Sequence, residues 1–303
     1  MKSEQVNRRQ FMRKGLLTLG AVGTWTLLRP LSVISLKKPD LTVAHGNNPY
    51  LVTMKAIEML GGIERFVKPG NTVLLYPNII SPSPPKFAIN THPDVVKAVA
   101  ELCVKAGGDV LVYHHHDPTY AKALGIQDRV ESVGARMVHM PSPEEAADRY
   151  IEVPVPMGRI LSKISVADLV LNADVFINIP IAKHHAGSEL TIAMKNLMGV
   201  VSHPQSYHYL GLHDCIADGA TAIRPDLVVM DATRILLTNG PSGPGETRVV
   251  NEVIASTDQV AIDAYGASLL KKDVRDVPFI TQAFKQRVGE MRLNLLNIER
   301  ANV

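Results

Sequence analysis

Three residues that can carry positive charge or bind a metal follow one of the most hydrophobic stretches of the chain. The segment "NIPIAKHH", residues 178–185, ends in Lys183, His184 and His185 after a run of Leu, Val, Phe and Ile. Lysine ammonium groups bind carboxylates and phosphates, and histidine transfers protons near neutral pH. We therefore predict that Lys183 binds an anionic substrate and that His184 is a catalytic residue.

A second lysine lies in a similar apolar setting. "TIAMKNLMG" places Lys195 and Asn196 among Ile, Met and Leu on a predicted helix. Pointing into a crevice, Lys195 would join Lys183 in binding an anion; alternatively, it extends its ammonium group into water along an apolar surface. The residues predicted to bind substrate are Asn78, Lys183, Lys195, Asn196 and Asp258.

Further acid–base candidates lie in "SHPQSYHYLGLHDCIAD" and "DLVVMDATRIL". The first contains His213 and Asp218, and the second contains Asp231. A histidine near carboxylates can act as an acid–base catalyst that the carboxylate orients. Pairing and capping on the helix surface explain the local spacing of His213 and Asp218 equally well. We predict catalytic roles for His184, His213, Asp218 and Asp231.

The triplet "HHH", residues 114–116, is the strongest metal candidate, since histidine-rich tracts can bind a divalent metal. In a strand His114 and His116 would share one face while His115 points away, so at most two of the three share a site. One buried histidine and two solvated ones explain the triplet equally well. A four-cysteine iron–sulfur cluster is not expected in a single chain, because Cys103 and Cys215 are the only cysteines.

The hydrophobic pattern indicates the scaffold that must position these residues. Short β-branched runs such as "NTVLLYPN" and "GDVLVYHHHDP" alternate with helical patterns such as "HPDVVKAVAELCVKAGG". This alternation predicts an α/β fold with three layers, a mostly parallel sheet with helices on both faces. Ligands bind beyond the carboxyl ends of such strands. Polar residues follow six of the apolar runs. At any one strand end, exposure to water explains them better, but their recurrence at six strand ends favours a shared pocket.

The chain divides into a leader and a body. Residues 1–36 contain "NRRQFMRKG" and the uncharged run "GLLTLGAVGTWTLL", the pattern of a twin-arginine export signal. We expect the twin-arginine machinery as a partner and a periplasmic or otherwise extracytoplasmic location. The cleavage site is weak, so an uncleaved leader would tether the protein to a membrane. Residues 37–303 are predicted to form a single α/β domain, with an excursion or lobe boundary near residues 141–163, where four prolines interrupt the alternation.

Charge and composition exclude one class of partner. The net charge is +3, of which residues 1–36 carry +5, so the body carries −2. Aromatic residues make up 5% of the chain. A nearly neutral body that is poor in aromatic residues lacks both the basic surface and the stacking platform expected of a nucleic-acid-binding protein.

Several blocks of the sequence together resemble the domain of unknown function 362 family. They include "PNIISPSPPKFAINTHPDVVKAV", "NIPIAKHHAGSELTIAMKNLMGVV" and "LHDCIADGATAIRPDLVVMDATRIL", and the resemblance runs from about residue 41 to 270. The resemblance implies that the predicted site residues lie in the motif blocks. Where the family usually has Lys-Pro-Asn, this chain has Tyr76-Pro77-Asn78. Some members carry ferredoxin-type cysteine motifs, which this chain lacks.

We therefore expect an exported α/β enzyme that acts on a small anionic molecule, and a divalent metal or a redox group acquired before export is its candidate cofactor. The alternative is a non-catalytic periplasmic protein that binds a metal or another ligand through its histidines.

Overall fold

The computed structural model describes residues 38–114 and 116–303. The predicted export leader and His115 lie outside the described residues, so predictions for them remain predictions. Within the described residues, no helix is long and apolar enough to cross a membrane.

A ten-stranded sheet forms the centre of the molecule. Its strands lie in the order β12-β1-β11-β10-β7-β2-β3-β4, with β8 paired to β10 and β9 paired to β8. The strand bounds are β1 Leu41–His45, β2 Thr72–Pro77, β3 Asp109–His114, β4 Arg136–His139, β5 Tyr150–Pro154, β6 Lys163–Ala167, β7 Val175–Ile179, β8 Ile181–His185, β9 Glu189–Thr191, β10 Leu227–Leu236, β11 Thr247–Ser256 and β12 Ile298–Asn302.

Helices cover both faces of this sheet. Their bounds are α1 Pro49–Met59, α2 Pro93–Lys105, α3 Thr119–Ala123, α4 Ile126–Glu131, α5 Asp168–Asn172, α6 Ala193–Asn196, α7 Tyr207–Leu210, α8 Leu212–Ala222, α9 Gln259–Leu269 and α10 Pro278–Lys285. Alternate residues of the central strands enter different cores. Val73 and Leu75 of β2 pack in the core that contains α1, α2 and α4, whereas Leu74 packs in the core that contains α6, α8, α9 and α10. The predicted three-layer, mostly parallel α/β fold is confirmed.

One strand of the central layer, β11, runs against its neighbours. It is antiparallel to both β1 and β10, while β10, β7, β2, β3 and β4 are parallel to one another. β11 follows β10 through the short loop 237–246, which has room for a reversal but not for the crossover that a parallel strand requires. Its last residue, Ser256, therefore pairs with Leu41 and Val228, at the starts of β1 and β10.

Two further strand boundaries differ from the sequence interpretation. The apolar run before Lys183 is two strands, because Pro180 separates β7 from β8, and Lys183 lies within β8. The strand that contains Asp231 continues to Leu236, so Asp231 lies in the middle of β10. Both residues were predicted to follow the end of a strand. That prediction was wrong, because apolar runs break at proline and continue through buried polar residues.

The proline-rich stretch 141–163 contains β5 and leads into β6. These two strands pair with each other in a separate antiparallel sheet, with Tyr150 opposite Ala167. The interpretation of this stretch as a lobe boundary stays a prediction.

Candidate functional site

A chain of buried hydrogen bonds joins three of the predicted site residues. Lys183 Nζ lies 2.9 Å from Asn78 Oδ1, and Asn78 Nδ2 lies 2.7 Å from Asn196 Oδ1. Asn196 Nδ2 continues to Asn178 Oδ1 at 2.8 Å, and Asn178 Nδ2 donates to Ala193 O at 2.9 Å. We call the three linked side chains of Asn78, Asn196 and Asn178 the asparagine chain. The structure thus brings together residues from β7, β8, α6 and the loop after β2.

The direction of every bond in the asparagine chain is determined by its two ends. A lysine ammonium can only donate, so the oxygen of Asn78 must face it. A backbone carbonyl can only accept, so the nitrogen of Asn178 must face Ala193. Each amide in between therefore accepts at its oxygen and donates at its nitrogen, and none of the three can flip without losing a bond.

Lys183 is fully buried, at 0% exposure, and was predicted to contact substrate. Its ammonium group donates to Asn78 Oδ1 and to the carbonyl of Ile89, at 2.6 Å. Burial, together with the nearby charge of Lys195, holds the pKa of Lys183 well below its usual range. Both acceptors are neutral, and no carboxylate pairs with this ammonium group among the described residues. When protonated, Lys183 therefore adds a positive charge that no neighbouring side chain neutralises.

Asp231 lies beside this network but is used to connect elements. Thr91 Oγ1 accepts from the backbone N–H of Asn78 at 2.9 Å and donates to Ile179 O at 2.7 Å. The next residue, His92, donates its backbone N–H to Asp231 Oδ2 at 2.7 Å. Asp231 Oδ1 accepts from the backbone and hydroxyl of Thr233. The carboxylate thus fastens the start of α2 to β10.

Lys195 is the cation of the site that solvent can reach. It lies on α6 next to Asn196 and is partly buried. Among the described residues its ammonium group has no hydrogen-bond or ion-pair partner. Burial lowers the pKa of Lys195 to about 8, and its charge in turn lowers the pKa values of Lys183 and His185. An unpaired, partly buried ammonium group favours an anion beside it.

The two histidines of β8 both accept backbone hydrogen bonds at Nδ1. Nδ1 of His184 accepts from the backbone N–H of Gly240 at 3.1 Å, and Nδ1 of His185 accepts from Gly187 and Ser188. Each neutral ring must therefore carry its proton on Nε2. Burial first, and then the charges of nearby lysines, lowers the pKa of His185 to about 3. It is thus a neutral Nε2–H donor near Lys195.

The glycine-rich loop after β10 packs tightly on His184. A Cβ atom at Gly240 would lie 1.8 Å from the carbonyl oxygen of His184. The backbone of Ala186 also donates to Gly240 O at 3.2 Å. Only glycine allows this approach, so the loop determines the orientation of the His184 ring.

Asp218 and His213 lie on α8, and no hydrogen bond or ion pair within the described residues joins them to the asparagine chain. Asp218 is fully buried and accepts from the backbone N–H groups of Arg159, Ile160 and Leu161 and from Gln286 Nε2. It holds the loop that precedes β6. The ring of His213 stacks on Phe279 with centroids 5.9 Å apart, and its buried Nδ1 has no partner in the described part of the chain. Burial lowers the pKa of His213.

Asp258 lies at the opposite edge of the sheet, although it was predicted to join the substrate site. It follows β11, whose reversal places Ser256 beside the starts of β1 and β10. Its side chain accepts from Val260 and Ala261 and so caps α9, and it also accepts from Glu290 N at 2.7 Å. The rule that strand ends meet at one edge fails here, because it holds only for parallel strands.

The predicted metal pair is only partly defined. β3 ends at His114, so His116 lies beyond the strand, where alternation does not determine its direction. His114 faces His139 on β4, with ring centroids 5.4 Å apart, and its buried Nδ1 has no partner in the described residues. No group of three or more His, Cys, Asp or Glu side chains in residues 38–114 and 116–303 is arranged to hold a metal ion. Metal binding by His114 and His116 stays a prediction.

Sequence reasoning missed several residues of this site. Asn178 and Thr91 look like ordinary residues of a strand and a loop, and His185 was noticed in "NIPIAKHH" but given no role. Asp263 gave no signal either, since it lies inside the apolar helix α9. It is fully buried and accepts from the backbone N–H groups of Ala193, at 2.6 Å, and Met194, at 3.1 Å, at the start of α6. Burial raises the pKa of Asp263, while the hydrogen bonds from the Met194 and Ala193 N–H groups act in the opposite direction.

Comparison with known proteins gives a family match, a relative by sequence and a solved structure with a weak similarity of fold. The family described as "Domain of unknown function (DUF362)" matches residues 73–268. Thylakoid-associated protein sll1697 of Synechocystis sp. is 32% identical over 243 residues, which are 77% of this chain and 73% of that protein. The lactate racemase apoprotein of Thermoanaerobacterium thermosaccharolyticum aligns with a TM-score of 0.45 and 11% identity over 79% of this chain. The chain covers 58% of that racemase chain, and a likeness at this level does not bear on activity.

Replacing Asp218 with Ala should mainly cost stability. It would leave the buried Gln286 side-chain amide and three partly buried backbone N–H groups without this acceptor, and we expect a loss of about 3 kcal/mol in the free energy of unfolding, measured with urea. Asp214→Ala on the same helix is the control, because it removes an exposed ion pair with Arg159 and should cost less than about 1 kcal/mol. Equal losses in the two variants would contradict the anchoring role of Asp218.

Stability should fall as the pH drops from about 6.5 towards about 4. Burial, with a smaller effect of neighbouring charges, lowers the pKa of His114 to about 4 and that of His185 to about 3. Between these values and about 6.5 the unfolded chain binds protons that the folded chain does not, so each histidine contributes up to about 1.4 kcal/mol per pH unit. In urea unfolding at pH 7, 6 and 5, the free energy of unfolding should change less steeply with pH for His185→Gln than for the native protein. The exposed His203→Gln variant should keep the native slope.

Proposed function

The chain belongs to the domain of unknown function 362 (DUF362) family, and from that premise we propose that it is an exported enzyme that acts on a small anionic molecule. The single observation that carries the proposal is the state of Lys195. It is a partly buried ammonium group beside a second buried lysine, with no carboxylate partner among the described residues. A bound anion would supply the missing negative charge.

The surrounding groups suit this task. Lys183 adds positive charge from below but has its donors directed to Asn78 and Ile89. His185 stays neutral and offers an Nε2–H near Lys195. Neutral N–H donors beside a cation stabilise developing negative charge on an oxygen without taking it up as a proton. Lys195 would bind the anion, and His185 would donate to it from Nε2. His184 is the next residue of the strand and faces the other way, so its catalytic role stays a prediction.

Two of the residues predicted to be catalytic have other uses for their polar atoms. Asp231 connects α2 to β10, and Asp218 anchors a loop, so we assign both to positioning in this proposal. His213 lies close enough to Glu189 for the charge of Glu189 to raise the pKa of His213. No hydrogen bond within the described residues joins His213 to Lys183. Export through the twin-arginine route and a periplasmic location remain part of the proposal on the evidence of the leader sequence.

The second candidate is a periplasmic binding protein that uses the same site without chemistry, or that carries a metal on His114 and His116. The facing rings of His114 and His139 are the observation in its favour, since a neutral buried imidazole with a free nitrogen suits a metal ion. Elemental analysis of protein purified without chelators distinguishes the two forms of this candidate. A stoichiometric metal that is lost in His114→Gln would support the form that carries a metal.

Lys195→Met should abolish anion binding without a loss of stability. Removing an uncompensated, partly buried charge leaves the melting temperature unchanged or raises it, because the buried ammonium group is itself unfavourable. Binding of phosphate, acetate and oxalate would be followed by calorimetric titration against the native protein. We expect at least one of the three to bind the native protein and none to bind the variant.

Lys163→Met is the matched control, since this lysine is 63% exposed and paired with Glu152 on the separate two-stranded sheet. It should leave anion binding unchanged. A Lys195→Met variant that binds as tightly as the native protein would refute the anion site. A variant that binds but melts at a much lower temperature would assign Lys195 to structure.

A further inference from the structure

The buried hydrogen bonds of the site continue beyond Ala193 to a second charged group. Asn178 Nδ2 donates to the carbonyl of Ala193, and that carbonyl belongs to the same peptide group as the N–H of Met194. This N–H donates to Asp263 Oδ2 at 3.1 Å. Four amide groups, the three of the asparagine chain and one peptide, therefore connect Lys183 to Asp263.

The polarity of this connection is the same at every step. Each amide accepts at its oxygen on the side of Lys183 and donates at its nitrogen on the side of Asp263. Hydrogen bonds in such a row polarise one another, and a cation at the donor end with an anion at the acceptor end strengthens all of them. Reversing either charge would oppose every dipole in the row.

Both ends need such help, because neither has a direct counter-ion. Lys183 and Asp263 are each at 0% exposure, and no ion pair of either is present among the described residues. Burial disfavours the charged form at both ends, lowering the pKa of Lys183 and raising that of Asp263. Both Asp263 oxygens nevertheless face N–H donors, an arrangement that suits a carboxylate rather than a protonated acid.

We propose that Asp263 is the counter-charge of Lys183, acting through the four intervening amides, and that it is a positioning residue of the site. By holding the first turn of α6 it also determines where Lys195 and Asn196 lie, since this one-turn helix has no side-chain cap from its own N-cap residue, Ile192. Its importance for catalysis rests on the proposed function. The coupling itself needs no substrate, so the two can fail separately.

The packing of α9 agrees with this role. A Cβ atom at Gly266, one turn after Asp263, would lie 2.2 Å from Ile192 Cδ1. One turn before Asp263, Gln259 Nε2 donates to Ala220 O at 3.1 Å. One face of α9 thus holds both the start of α6 and the end of α8 in place.

A double-mutant cycle tests the coupling. Lys183→Met, Asp263→Asn and the double variant would be unfolded in urea at pH 7 beside the native protein. If the two charges support each other, Lys183→Met should change the unfolding equilibrium by a factor that differs at least tenfold between the native background and the Asp263→Asn background. Effects that multiply within about twofold would overturn the proposal, because independent residues behave in that way.

Two controls separate coupling through the four amides from a general effect of charge or packing. Asp258→Asn removes another carboxylate of the same helix region that accepts two helical N–H groups, and it should not couple to Lys183→Met beyond about twofold. Asn178→Val removes one of the four amides, and in that background the coupling between Lys183 and Asp263 should fall below twofold. Coupling that survives this removal would refute transmission through the amides.

A second measurement covers the case in which a combined variant does not fold. The side-chain carboxyl carbon of Asp263 would be followed by NMR from pH 5 to 10 in the native protein and in Lys183→Met alone. Loss of the cation should move the titration midpoint of Asp263 upward by at least one pH unit, a tenfold change in proton affinity. An unchanged midpoint would overturn the proposal, whatever the result of the binding experiments at Lys195.

Discussion

The site depends on one constraint, which is that a lysine lies inside the sheet with no carboxylate beside it. Lys183 can remain there only if its N–H groups find acceptors, and the acceptors are an asparagine oxygen and the carbonyl of Ile89. Satisfying that asparagine requires a second amide, which in turn requires a third. The polar residues at the centre of this protein are thus consequences of one buried cation, and they leave the neighbouring ammonium group of Lys195 without a partner in the described structure.

Much of the scaffold follows from patterning that is visible in the sequence. Continuous apolar runs between helical patterns predicted a mostly parallel sheet covered on both faces, since strands of that kind are buried on both sides. The strand "NTVLLYPN" and the helix that contains Cys103 lie where they were expected, and Cys103 is buried. Boundaries inside apolar runs were less accessible. The break at Pro180 and the continuation of β10 past Asp231 depend on pairing partners that a local pattern does not contain.

Several residues of the site could be predicted from the sequence, but the role of each residue could not. Asn78, Lys183 and Asn196 do meet, because residues of β8, of α6 and of the loop after β2 converge on one region of the sheet. Asp258 does not join them, because nothing in "VIASTDQ" distinguishes an antiparallel strand from a parallel one. Asp263 was invisible for a different reason. An acidic residue inside an apolar helix becomes meaningful only when the helix end that it faces, 70 residues away in sequence, is known.

The reversal of β11 also has a consequence for how the chain assembles during synthesis. β1, the first strand of the described chain, pairs only with β11 and β12 in the described structure, and both lie within residues 247–302. In a nascent chain that has not yet reached this region, Leu41–His45 has no strand partner on either side. The outer part of the sheet can therefore close only late in translation, whereas β2, β3 and β4 can pair from contiguous sequence much earlier.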